Sequence, residues 1–179
     1  MVMCKIIGSN LRGLEMQSVG QVLQTHVSLR KLILRNNVIG NEGVFSLCKA
    51  LEREETTAGV GTKEVKKVKE VKEVEGKGTG RVTCGTLEVL DLSENVVHEE
   101  GGARLGRLLR TNQSLVRMWL GGNRVMNGGA CGMAEGLKEN RTLQGLFLQG
   151  NGIEEDGGRA LLDALQTNFT LVVLYLAGL

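Results

Sequence analysis

Proline is absent from this chain of 179 residues, and aromatic residues are scarce: one Trp, one Tyr and three Phe. Cysteine occurs four times, never as C-x-x-C, and histidine only at His26 and His98. That spacing offers no tetrahedral ligand set, so neither a structural metal nor a cofactor is expected. Cys4, Cys48 and Cys131 are expected to be reduced thiols in strand and helix positions. No apolar run reaches the roughly 18 residues that would suggest a membrane-spanning helix. The opening stretch MVMCKIIGSNLRG has no long apolar segment and no small-residue cleavage site, so no secretory leader is expected in it. Basic and acidic residues nearly cancel, 22 against 20. Such a balance does not by itself point to nucleic acid or a membrane surface as partner. The expected compartment is cytosol or nucleus.

What is present is periodicity. Leu87-x-x-Leu90-x-Leu92-x-x-Asn95 recurs as Leu115-x-x-Met118-x-Leu120-x-x-Asn123 and as Leu143-x-x-Leu146-x-Leu148-x-x-Asn151. Leu29-x-x-Leu32-x-Leu34-x-x-Asn37 precedes them, and Leu171-x-x-Leu174-x-Leu176 follows. The N-terminus fits the frame weakly, with Met1, Cys4 and Ile6 in the apolar slots and Ser9 where Asn stands elsewhere. Two residues after each Asn comes Ile39, Val97, Val125 or Ile153; six after it comes Gly43, Gly101, Gly129 or Gly157. An apolar stripe at helical spacing then follows: Leu47/Ala50/Leu51, Leu105/Leu108/Leu109, Met133/Gly136/Leu137 and Leu161/Ala164/Leu165. The L-x-L core has period two and predicts a short strand; offsets of three and four place the later residues on one helix face. Each unit is therefore a strand, an Asn-bearing turn and a helix. No unit can bury its apolar face alone, but stacked neighbours can.

Asn112, Asn140 and Asn168 begin Asn-x-Ser/Thr acceptor tripeptides, which would suggest N-linked sugar. They fall at one slot of the repeat, between a helix and the next strand. Asn suits such a turn for backbone reasons, and a bare tripeptide has a high false-positive rate. The tripeptides are read as by-products of the repeat.

The pattern LxxLxLxxN-x-I…G…L-x-x-A-L resembles the ribonuclease-inhibitor class of leucine-rich repeats. That resemblance implies a short right-handed α/β horseshoe of about five repeats, with a parallel β-sheet on the concave face. Repeats start near residues 1, 29, 87, 115, 143 and 171. Residues 1–179 read as a single leucine-rich repeat domain and as part of a larger array. The class binds proteins, so the resemblance implies a protein–protein interaction scaffold. Its relatives imply two alternatives, a GTPase-activating protein of the Ran type or a nuclease inhibitor.

One interval breaks the period. Residues 53–86 contain no Leu, Ile, Met or aromatic residue, and alternate Lys, Glu and Val. This composition predicts a solvated, flexible low-complexity insertion. EGKGTG at 75–80 lacks the Lys-Ser/Thr ending and preceding strand of a phosphate loop. If the insertion loops out, Arg30 faces Glu88 and Arg35 approaches Glu94 across adjacent parallel strands.

The residue between the last two leucines points away from the core. That column reads Lys5, Ile33, Asp91, Trp119, Phe147, Tyr175, and so gathers the only Trp and the only Tyr. Exposed aromatics at consecutive positions mark an interaction site, and Trp, Tyr and Arg are enriched in binding hot spots. Trp119, Phe147 and Tyr175 are the expected contact centre, with Arg117, Asp91 and Gln149 around them. The competing reading is that the rings only shield the sheet beside Gly121, Gly122, Gly145 and Gly150. Asn37, Asn95, Asn123 and Asn151 are expected to form a structural ladder that satisfies turn backbone. No nucleophile–base pair is placed on one surface, so no enzyme activity and no small-molecule substrate are expected. The expected partner is another protein.

Overall fold

The computed structural model describes residues 2–13, 15–26, 28–52 and 86–177. The low-complexity reading of 53–86 therefore lies outside the described residues, apart from Thr86. Among these residues six strands alternate with five helices. In chain order they are β1 (Val2–Lys5), α1 (Glu15–Thr25), β2 (Leu29–Ile33), α2 (Gly40–Leu51), β3 (Val89–Asp91), α3 (Glu99–Thr111), β4 (Arg117–Trp119), α4 (Met126–Glu139), β5 (Gly145–Phe147), α5 (Glu155–Leu165) and β6 (Val173–Tyr175). The strands form one parallel sheet in sequential order. Parallel neighbours need a crossover, and each helix supplies one.

The leucine frame sets the register. Leu32, Leu90, Met118, Leu146 and Leu174 are successive Cα partners, with Cys4 at the head of the row. Leu32, Leu90, Met118 and Leu146 are buried, as are Leu34, Leu92, Leu120 and Leu148 two residues on. They share one core with the helix stripes Leu47/Leu51, Leu105/Leu108/Leu109, Met133/Leu137 and Leu161. Burying one such side chain contributes about 1.5–3 kcal/mol, and neighbours on both sides are needed to do it.

β2 and β3 pair directly, with Leu32 opposite Leu90, although residues 53–85 separate them in sequence. The expected ion pairs cross this junction: Arg30 Nη1 lies 2.8 Å from Glu88 and Arg35 Nη2 lies 2.6 Å from Glu94. Sequence reasoning missed two further links. Arg104 on α3 grips the carboxylate of Glu52 with both terminal guanidinium nitrogens, Nη2 at 2.6 Å from Oε2. Asn41 donates to Glu100 at 2.7 Å and accepts from the His98 N–H at 2.9 Å. Cys48 is buried at the same junction. Burial pushes its thiol up to about 12, which keeps it protonated and inert.

α3 and α4 pack backbone to backbone. A Cβ added to Gly106 would meet the carbonyl oxygen of Gly132 at 2.1 Å, and one added to Gly136 would meet that of Gly106 at 2.0 Å. Ala103 lies close to Gly132, with its Cα and Cβ both 2.7 Å from the Cβ position there. No rotamer can relieve a clash with main-chain atoms, so glycine is required where these helices cross.

In the turns after the strands several non-glycine residues have positive φ, among them Asn36, Glu94 and Val96. Val96 has φ +57, a left-handed conformation that a β-branched residue adopts only against steric resistance. The equivalent position in the fifth repeat is Gly152, φ +64, where no such resistance exists.

Candidate protein-interaction face

Two rows of side chains face away from the helices. One row is Met3, Lys31, Val89, Arg117, Gly145, Val173; the other is Lys5, Ile33, Asp91, Trp119, Phe147, Tyr175. The alternation of the strand dictates both, because residues two apart share a face. The second row is the column expected from the sequence, in unbroken register.

Trp119 and Phe147 stack face to face, with ring centroids 5.0 Å apart and planes 3° from parallel. Both are part-buried. Tyr175, their neighbour in register, is 49% exposed. Phe147 leans along its own strand, with Cε2 3.1 Å from the Cβ position that Gly145 leaves empty; the Arg117 stem reaches the same place, Cγ at 3.6 Å. Phe147 therefore covers the space beside Gly145. At Gly121 the cover is Gln149, whose amide nitrogen lies 2.5 Å from the missing Cβ. Gln149 is thus part-buried against backbone, and its Oε1 has no hydrogen-bond partner among the described residues. Only the backbone approach at Gly121 could have signalled this seat in the sequence. Asp91 Oδ1 accepts the Ser93 N–H at 2.9 Å, which orients its carboxylate within the row.

The structure shows the Asn ladder at work. Asn123 Nδ2 donates to Leu92 O and Leu120 O at 2.9 and 2.8 Å, while its Oδ1 accepts from Asn95 N and Val97 N. Asn151 donates to Leu120 O and Leu148 O, both at 2.8 Å, and accepts from Val125 N. Asn37 donates to Ile6 O and Leu34 O, and Asn95 to Leu34 O and Leu92 O. Asn95 Oδ1 has no partner among the described residues. Each amide joins two turns through these hydrogen bonds.

A second ladder lies at the opposite end of the strands. Asn140 Nδ2 donates to Leu109 O at 2.7 Å and Asn112 O at 3.2 Å, and its Oδ1 accepts from Thr142 N and Leu143 N. Asn168 repeats this with Leu137 O, Asn140 O, Thr170 N and Leu171 N. Asn112, Asn140 and Asn168 are all buried. The amide nitrogens of Asn140 and Asn168, which a sugar would need, are spent on carbonyls of the preceding repeat. This is the physical reason the acceptor-like tripeptides recur every 28 residues.

Elsewhere, an open apolar groove of about 350 Å³ beside α5, lined by Ile153, Gly158, Leu162 and Leu176, does not touch the aromatic row. Among the described residues no three His, Cys, Asp or Glu side chains cluster as metal ligands. None of the described helices is long and apolar enough to cross a membrane.

Comparison with known proteins agrees with this geometry. A family model described as "Leucine Rich repeat" matches residues 25–48, 83–106 and 139–162. No curated protein matches the sequence. Among solved structures, "Leiomodin-1 Actin-Binding Site 2 (ABS2)" superposes with a TM-score of 0.61 at 16% identity, covering 93% of this chain and 80% of that one. The tropomodulin C-terminal domain of Caenorhabditis elegans gives 0.61 at 12% identity, covering 91% and 83%. At these identities the likeness is one of fold. The matched repeats, the sequential parallel sheet and the Asn-bearing turns together show an α/β leucine-rich repeat solenoid.

Proposed function

We propose that this chain is a protein-interaction scaffold, not an enzyme, working in the cytosol or nucleus. It binds a partner protein through the sheet face opposite its helices. Trp119, Phe147 and Tyr175 form the contact centre, with Arg117, Asp91 and Gln149 around it. The observation that carries this reading is the Trp119–Phe147 stack, held in register with a half-exposed Tyr175. A rigid aromatic pair on a sheet loses little side-chain entropy on binding, which is what a hot spot requires.

The test pairs two adjacent residues. Trp119→Ala is expected to weaken partner binding by about 2 kcal/mol or more. Its stability cost should stay near the roughly 0.5–1.5 kcal/mol of a lost aromatic pair. Leu120→Ala, one residue along and fully buried, is expected to cost about 2–5 kcal/mol of stability. Affinity capture with the wild-type chain supplies the partner, and melting plus binding are measured on both variants. Actin is the first purified protein to try, because one fold neighbour is titled an actin-binding site. A captured partner that binds Trp119→Ala undiminished overturns the assignment of the face. Mixed with Ran, the chain is expected to leave GTP hydrolysis unchanged; acceleration by orders of magnitude, as GTPase activators achieve, would overturn the non-enzyme reading.

A further inference from the structure

We infer that the partner of this face presents an acidic segment, with carboxylates set beside an aromatic or aliphatic side chain. The inference rests on the sheet-face reading above and adds the partner's chemistry. Lys5, Lys31 and Arg117 stand in the two outward rows, and none makes an ion pair among the described residues. Arg30 and Arg35 at the same junction are already held by Glu88 and Glu94. Asp91 is the only acidic side chain in those rows. Among the described residues, three cations without an ion pair stand against one carboxylate, so these rows carry a positive surplus.

Placement sharpens this. Lys31, Val89 and Arg117 are in register on β2, β3 and β4, so the Cα atoms of the two cationic residues lie roughly 10 Å apart at a strand spacing of about 4.8 Å. Arg117 is two residues from Trp119 on one strand, and its stem lies over Gly145 next to the Phe147 ring. A segment crossing the strands can lay an apolar side chain on the Trp119–Phe147 stack and bring a carboxylate to the guanidinium beside it. A charge-assisted Arg–carboxylate bond there is directional and stronger than a neutral one. A basic segment would meet like charge at three positions, which disfavours it.

A random linear peptide library displayed on phage, panned against the full chain, tests this without knowledge of the natural partner. Enriched peptides are expected to combine Asp or Glu with an aromatic or aliphatic residue. Their binding should weaken at least about tenfold in Arg117→Glu, less in Arg117→Gln, and be lost in Trp119→Ala. It should also weaken between about 0.1 and 1 M salt, which shortens the Debye length from about 10 to 3 Å. Arg117 is exposed, so both Arg117 variants should melt with wild type. Peptides that need Trp119 but are basic or uncharged, or ignore Arg117→Glu, overturn the acidic-partner inference and leave the face intact. Peptides indifferent to Trp119, or no enrichment at all, overturn both.

Discussion

Gly106→Ala and Gly158→Ala make the same chemical change in two helices and are expected to have opposite signs. In isolation each favours the helix, because alanine exceeds glycine in propensity by about 1 kcal/mol. At Gly158 a Cβ would meet nothing within 4 Å, so that gain should survive. At Gly106 the new Cβ would lie 2.1 Å from Gly132 O, 2.5 Å from Gly132 C and 2.8 Å from Met133 Cα. All three are main-chain atoms, so α3 and α4 must move apart. Separation loosens Leu105, Leu108 and Leu109 against Met133 and Leu137, all in one core cluster. Overpacking of this kind costs about 1–3 kcal/mol, occasionally more. Here the closest contact falls far inside van der Waals range, so the upper part of that span is expected to outweigh the propensity gain. The net prediction is a loss of roughly 1–2 kcal/mol for Gly106→Ala and a gain of up to about 1 kcal/mol for Gly158→Ala. For a chain of this size each kcal/mol moves Tm by roughly 2–4 °C. Urea unfolding followed by circular dichroism gives both midpoints. A Gly106→Ala protein as stable as wild type would refute the backbone contact between α3 and α4.

Two more substitutions probe the turns. Val96→Gly removes a β-branched side chain from φ +57; relief of about 1–2 kcal/mol should exceed the entropy glycine adds to the unfolded chain, so the melting midpoint should rise. Asn140→Asp keeps the acceptor for Thr142 and Leu143 but loses the donor to Leu109 O and Asn112 O. Asn112 O keeps the Thr142 hydroxyl at 3.4 Å, so it is Leu109 O that loses this partner; chemical denaturation should show a fall of about 1–3 kcal/mol, and a neutral result would mean the second ladder is ornamental.

Most of the architecture follows from the sequence alone. A period of 28 with L-x-L, Asn and an i, i+3, i+4 stripe specifies strand, turn and helix, because each follows from the chain's own local geometry. The in–out alternation of a strand then fixes which residues share the outward column, so Asp91, Trp119, Phe147 and Tyr175 were legible as neighbours before any coordinates. Opposite charges at Arg30/Glu88 and Arg35/Glu94 were legible for the same reason, since register follows from the leucines. Tertiary structure decided the rest. That Phe147 lies over Gly145 while Gln149 covers Gly121 depends on which way each side chain leans, which a repeat pattern does not encode. That α3 and α4 meet through Gly102, Gly106, Gly132 and Gly136 depends on the distance between two repeats. The glycines at spacings of four carried a faint signal for it, but glycine in a helix reads first as a weak helix former. The grip of Glu52 by Arg104 joins residues whose separation in sequence spans 53–85. Local periodicity determines which way a residue faces. Only the packing of one repeat on the next determines what it touches.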